Sequence, residues 1–210
     1  LPRPGGAGAD TGPRRGVRAD LDLVAQMIAP GSRVLDLGCG DGDLLAELIA
    51  SRGCRGQGVE VSREALHACV ERGVPVVEAD IDRGLPEFED GAFDVVVLSQ
   101  TLQAVRRPAL ALREVTPVGR LGLVPFPNCG HWRLRAQLLV RGRMPVTRTL
   151  PYRWHETPNV HLCTIRDFES LARAEGLTLL DRRLLDAGGG PAPARAARRL
   201  QSGSLRAYIL

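Results

Sequence analysis

At 210 residues, with 44% apolar residues and a formal net charge of +4, the chain fits one folded domain with a core of its own and excludes a second full domain. No stretch approaches the roughly 20 consecutive apolar residues that span a bilayer, and no apolar leader core opens the chain, so it reads as soluble and cytoplasmic with no membrane partner. Its five cysteines form no C-x-x-C pair, which argues against a disulfide framework, and all 28 basic residues are arginine.

Residues 1–18, rich in Gly, Pro and Arg without apolar periodicity, read as a flexible arm, which leaves 19–210 as the folded unit. Asp20 to Ile28 sets Leu21, Val24 and Ile28 on one face of a first helix, stopped by Pro30-Gly31. The stretch Val34 to Gly42, VLDLGCGDG, follows and organises the rest. Val34, Leu35 and Leu37 suit a strand covered on both faces. Gly38, Gly40 and Gly42 then alternate through a turn where a ligand can lie against the backbone. Leu44, Leu45, Leu48 and Ile49 recur at helical spacing behind Asp41 and Asp43. A dinucleotide rests its pyrophosphate on a G-x-G-x-x-G turn with bare N–H groups. Here the spacing is G-x-G-x-G, and Asp36, Asp41 and Asp43 repel phosphate. The turn therefore suits a cationic or zwitterionic nucleoside.

Arg55 to Val61 reads as a second strand ending on Glu60, placed to accept hydrogen bonds from both ribose hydroxyls of such a ligand. Ser62 caps the next helix, whose inner face is Ala65, Leu66, Cys69 and Val70. Val74 to Ala79 is a third strand. It brings Asp80 to the adenine amino group and Ile81 to the ring, whereas Asp82 reads as a water-facing loop acid. Phe93 to Leu98 is a fourth strand that delivers Ser99, Gln100, Thr101 and Gln103 to the same edge. A helix from Pro108 to about Val115 and a fifth strand, Leu121 to Val124, continue the alternation. They predict an α/β fold with a single doubly wound, mostly parallel, Rossmann-like sheet.

Pro125-Phe126-Pro127-Asn128 ends that strand and is not the Asn-Pro-Pro-aromatic motif of base methylases, so no nucleic-acid partner is expected. Gly130 to Arg143 reads as a helix whose Trp132, Leu134, Leu138 and Leu139 suggest core packing, followed by a loop from Met144 to Asn159 with Tyr152, Trp154 and His155. The spacing of Cys129, His131, His155, His161 and Cys163 matches no zinc pattern, so no metal is expected. Thr164-x-x-Asp167 is a capping box. Leu177 to Leu185 and Ser204 to Leu210 read as closing strands around a flexible insert at 187–203. Charge divides along the chain: Ala19 to Gln103 holds 6 Arg against 16 acids, and Ala104 to Arg153 holds 10 Arg against Glu114 alone. A basic side of this kind can steer an acidic partner.

The glycine turn resembles the first motif of class I S-adenosylmethionine-dependent methyltransferases, and VLDLGCGDG, GVEV, EADIDRGL, FDVVVLSQTLQAVRRP, FPNCGHWRLRAQLLVRGRMPVT and LPYRWHETPNVHLCTIRDFE together resemble the MetW family of methionine-biosynthesis proteins. The likeness implies a sheet of the class I S-adenosylmethionine-methyltransferase type. It also implies S-adenosylmethionine or S-adenosylhomocysteine as cofactor, and homoserine O-acyltransferase as partner. Its cofactor motif falls on Asp36, Gly38, Gly40, Glu60 and Asp80. Adding neighbours at the same strand ends, the cofactor-binding candidates are Asp36, Gly38, Cys39, Gly40, Glu60, Val61, Asp80, Ile81 and Ser99. No catalytic residue is assigned. A small-molecule methyltransferase using the same pocket, with His131 or His155 as base, is the alternative. Pro117 and Pro125 depart from the family pattern around the fifth strand.

Overall fold

The computed structural model describes residues 19–147, 150–184 and 205–209. The predicted arm at 1–18 and insert at 187–203 lie outside them. Strand and helix alternate: α1 (Ala19–Met27), β1 (Arg33–Leu37), α2 (Asp43–Arg52), β2 (Arg55–Glu60), α3 (Arg63–Glu71), β3 (Val76–Glu78), a 3-10 turn (Ile81–Arg83), β4 (Phe93–Val97), α4 (Pro108–Val118), β5 (Gly119–Phe126), α5 (Trp132–Arg141), α6 (Ile165–Ala174), β6 (Leu179–Leu184) and β7 (Leu205–Ile209). The strands form one seven-stranded sheet in the order β3-β2-β1-β4-β5-β7-β6, with every pairing parallel. The chain steps outward from β1 to β3 and then crosses back to β4. Strand order therefore reverses between β1 and β4, where the carboxyl ends of an open sheet form a crevice.

Both faces of the central strands are buried, as their apolar runs require. On one face Leu35, Leu37, Val96 and Leu98 join Leu112 and Val115 of α4 and Phe168 and Ala172 of α6. The rings of Phe126 and Phe168 lie 4.9 Å apart in that layer. On the other face Val34, Val95 and Val97 meet Val24 and Ile28 near α1 and Leu44, Leu45 and Leu48 of α2. At the amino edge Arg33 and Asp94 lock β1 to β4. The Arg33 Nη2 and Nε groups donate to Asp94 Oδ1 and Oδ2 at 3.0 and 3.3 Å, and the Arg33 backbone N–H donates to Oδ2 at 2.9 Å.

Four expectations change. Pro125 does not end the fifth strand: β5 runs on to Phe126, because the β4 ladder stops at Val97 opposite Leu123 and a missing N–H beyond it breaks no β4–β5 bond. Helix α4 continues through Pro117 to Val118, past the predicted stop. Val70 is exposed, and only Cys69 of the predicted α3 inner face is fully buried. Helix α5 buries none of its residues, so its apolar side chains are not core.

Candidate functional site

β1 runs directly into the glycine turn, and its first two glycines do different work. Gly38 has φ +71, and a Cβ there would stand 2.5 Å from Thr101 Oγ1. The Gly38 and Cys39 N–H groups both donate to the Val59 carbonyl, at 2.8 and 3.2 Å, which fastens the turn to β2. Gly40 has φ +56, and a Cβ on it would meet nothing within 4 Å. It therefore opens onto space at the mouth of the crevice. The Gly40 N–H donates to Glu60 Oε2 at 2.9 Å, while Glu60 Oε1 accepts from the Val61 and Ser62 N–H groups at 2.8 and 3.0 Å. Three main-chain donors thus fix one carboxylate at the end of β2. A carboxylate oxygen accepts two bonds, so Oε2 keeps one acceptor direction.

Asp36 is 1% exposed and sits between Gly58 and Val97 in register. Asp41 and Asp43 do not present the bare charge expected of them, because Arg72 on the α3 side lies 3.1 Å from Asp41 Oδ2 and 3.3 Å from Asp43 Oδ1. Asp36, Glu60 and the glycine spacing still disfavour phosphate here. Cys39 and Cys69 place their sulfurs 3.8 Å apart, and the Cys69 thiol donates to the Gly40 carbonyl at 3.1 Å. Burial raises the pKa of both thiols, and the Asp36 carboxylate adds to the effect on Cys39. They are packing groups at this edge, held in the protonated form.

At the next strand end Asp80 caps the 3-10 turn by accepting from the Asp82 N–H at 3.0 Å, and Ile81 is 7% exposed within the core layer. Val61 is exposed. On the β4 side Ser99 Oγ and Gln103 Oε1 are buried without a hydrogen-bond partner among the described residues. Buried polar atoms of this kind mark places where a further polar group fits. Gln100 holds φ +55, the one non-glycine residue with positive φ among the described residues. Strain of that sort gathers at ligand sites.

Two residues whose partners the sequence did not indicate hold the edge together: Thr101, expected at this edge without a role, and Asp82, expected to face water. The Thr101 hydroxyl donates to the Leu37 carbonyl at 2.7 Å, joining the ends of β1 and β4 across the crevice. Asp82 is no free loop acid: it accepts from the Arg106 and Arg107 N–H groups at 3.0 and 2.8 Å. An S/T or D beside a strand end is too common to single out from spacing alone. The histidines have local partners. His131 caps α5 by accepting from the Arg133 N–H, and His155 lies 3.6 Å from Glu156. No group of His, Cys, Asp and Glu able to hold a metal ion occurs among the described residues, and none of their helices is long and apolar enough to cross a membrane.

The family described as "Methionine biosynthesis protein MetW" matches residues 18–210. The bifunctional methionine biosynthesis protein MetXA/MetW of Rhodopirellula baltica is 38% identical over 164 residues, which are 74% of this chain and 26% of that protein. The ubiquinone biosynthesis O-methyltransferase of Ralstonia nicotianae is 35% identical over 144 residues, 65% of this chain and 60% of the relative. The chain thus spans less than two thirds of either relative. Among solved structures, an S-adenosylmethionine-dependent methyltransferase of Thermotoga maritima superimposes with a TM-score of 0.59 at 18% identity, covering 89% of this chain and 84% of its own. The [4+2]-cyclase SpnF gives 0.54 at 25% identity, over 74% and 56%. One fold thus serves more than one chemistry.

Proposed function

The chain belongs to the MetW family of methionine biosynthesis proteins, and from that premise we propose that it binds S-adenosylmethionine or S-adenosylhomocysteine at the carboxyl edge of β1, β2 and β4 and regulates homoserine O-acyltransferase. The observation that carries this reading is the Glu60 carboxylate, pinned by the Gly40, Val61 and Ser62 N–H groups beside the open face of Gly40. A fixed acceptor next to bare backbone suits a ribose lying on the turn. Asp80 and Ile81 stand on the adenine side, with Val61 flanking them. Asp36, Gly38 and Cys39 shape the floor of the turn under the methionine part, and Ser99 lies toward the sulfonium. When bound, S-adenosylmethionine supplies an activated methyl group, but the site's own residues chiefly hold, orient and shield it.

The acyltransferase partnership draws support from the Rhodopirellula relative, in which a MetXA part and a MetW part share one chain. We read MetXA as the acyltransferase. A second reading, transfer of the methyl group to a small molecule, is favoured by the identity to ubiquinone O-methyltransferases. Titration calorimetry with S-adenosylmethionine, S-adenosylhomocysteine and NAD at one concentration tests the site, and we expect binding of the first two alone. NAD binding without the others would refute the assignment. Acyltransferase rate followed against S-adenosylmethionine then separates the two readings. Catalytic cofactor turnover with an acceptor, and no effect on the partner, selects the methyltransferase.

A further inference from the structure

Helix α5 and the strand-free segment after it leave the carboxyl edge and return to it as one excursion. The Cys129 N–H donates to the Cys163 carbonyl at 3.1 Å and closes its base. Its surface is unusual for a monomer. Trp132 is 66% exposed, Leu139 87%, Val140 81% and Trp154 74%, and α5 buries nothing. Single exposed apolar side chains are ordinary, but so many on one excursion of the chain, two of them tryptophans, point to an interaction surface. The segment also forms a mostly apolar pocket whose lining includes Met144, Leu150, Tyr152, Trp154 and Leu162, with Thr157 and Asn159 as its polar part. It is a shallow, half-open depression that adds a concave apolar wall to the exposed surface.

Charge narrows the occupant. Between Glu114 and Glu156 the chain has seven arginines and no acid. Arg133, Arg135, Arg141, Arg143 and Arg153 are exposed on the same excursion, and the Arg133 guanidinium lies 5.4 Å from the Trp132 ring centroid. A second copy docking face to face would set arginines against arginines. A lipid surface needs a helix with one apolar side, whereas α5 interleaves Arg133, Arg135 and Arg141 among its apolar residues all round. What fits is a folded protein whose docking patch has an acidic rim and an apolar anchor. Resting on the function proposed above, we propose that this face, α5 with residues 144–162, is where homoserine O-acyltransferase docks.

The test uses the full chain and the purified acyltransferase in a surface-binding assay at about 50 and about 300 mM salt. The variants are R133E/R135E/R141E and, separately, Trp154→Ala. Arg63→Glu on α3, outside this face, is the control. Circular dichroism and S-adenosylmethionine affinity report whether each variant folds. We expect the triple reversal to weaken binding by at least ~30-fold, Trp154→Ala by at least ~10-fold, and Arg63→Glu to leave it unchanged, with wild-type association slower at the higher salt. If the wild type binds the acyltransferase and folded face variants bind equally well, the surface assignment is overturned while the proposed function stands. If the wild type shows no binding, the partnership itself falls, and the surface assignment with it. Binding to anionic vesicles or RNA in place of the acyltransferase, lost in the same variants, also overturns it.

Discussion

Replacing Glu60 tests the ribose assignment most directly, and the structure sharpens what to expect. The side chain accepts three main-chain bonds, two on Oε1 and one on Oε2, so Glu60→Ala removes support for the turn as well as any ligand contact. The site is half-exposed, and water can replace those acceptors, so the protein should stay folded with a lowered melting temperature. A hydrogen bond to a charged group is worth about 1.5–3 kcal/mol, which predicts a loss of S-adenosylhomocysteine affinity of roughly 10- to 150-fold. Affinity alone does not separate a lost contact from a loosened turn. A chemical cycle does: calorimetry with S-adenosylhomocysteine and its 2′,3′-dideoxy analogue, against wild type and Glu60→Ala. If Glu60 meets the hydroxyls, removing them weakens binding to wild type and changes little in the mutant, because the two losses share one interaction. Additive losses would refute the ribose role and leave Glu60 as a strut of the turn.

Gly38 and Gly40 should respond in opposite ways. Gly38→Ala sets a Cβ against Thr101 at positive φ and should destabilise the fold by about 1–3 kcal/mol or more in urea titration, whereas Gly40→Ala costs only about 1–2 kcal/mol of backbone strain but fills ligand space and should abolish measurable binding; comparable binding in Gly40→Ala would mean that no ligand lies on the turn. At the other edge, hydrogen bonds from the Arg33 guanidinium and backbone N–H hold Asp94 at about 2, below the usual carboxylate value of about 3.9. A depressed folded-state value stabilises above the unfolded pKa and fades as pH falls through the folded one. The stability gap between wild type and Asp94→Asn should therefore be full above about pH 4 and close toward pH 2, and a gap independent of pH would show that the charge of Asp94 is not what counts.

Local signals made the central half of the fold legible. The strand signals through Val34 and Phe93 are dense because β1 and β4 are short, buried apolar runs, and β2 is marked by its glycines and the terminal acid Glu60. The capping box at Thr164 and Asp167 formed as read, with both reciprocal bonds in place. What stayed hidden depends on distant residues. Arg72 pairs with both Asp41 and Asp43 from the far end of the next helix, and Asp82 gathers two N–H groups from beyond β4. Neither pairing has a sequence spacing that repeats. The misreading of α5 has another cause: its apolar residues and arginines are the composition of a buried helix edge and of an exposed docking helix alike, and only tertiary context divides the two.

The same excursion that carries the exposed face is tied to the cofactor edge at one carbonyl. The N–H groups of Val160 and His161 both donate to the Gln103 carbonyl, at 2.8 and 2.9 Å. Gln103 ends the segment that begins at Ser99, and Thr101 within it is bolted to the Leu37 carbonyl at the root of the glycine turn. On the function and docking surface proposed above, a ligand seated on Gly40 and reaching Ser99 would press on a stretch of five residues, Ser99 to Gln103, whose far end holds the excursion. Packed edges of this sort shift between discrete arrangements rather than deforming smoothly. Regulation of a bound acyltransferase needs no longer path than this, and linkage makes it reciprocal: whatever factor the ligand imposes on partner affinity, the partner imposes on ligand affinity. On that proposal the acidic crevice and the basic excursion are the two ends of one short connection, and their opposite charge would keep an acidic partner on the arginine side and away from the carboxylates that line the turn.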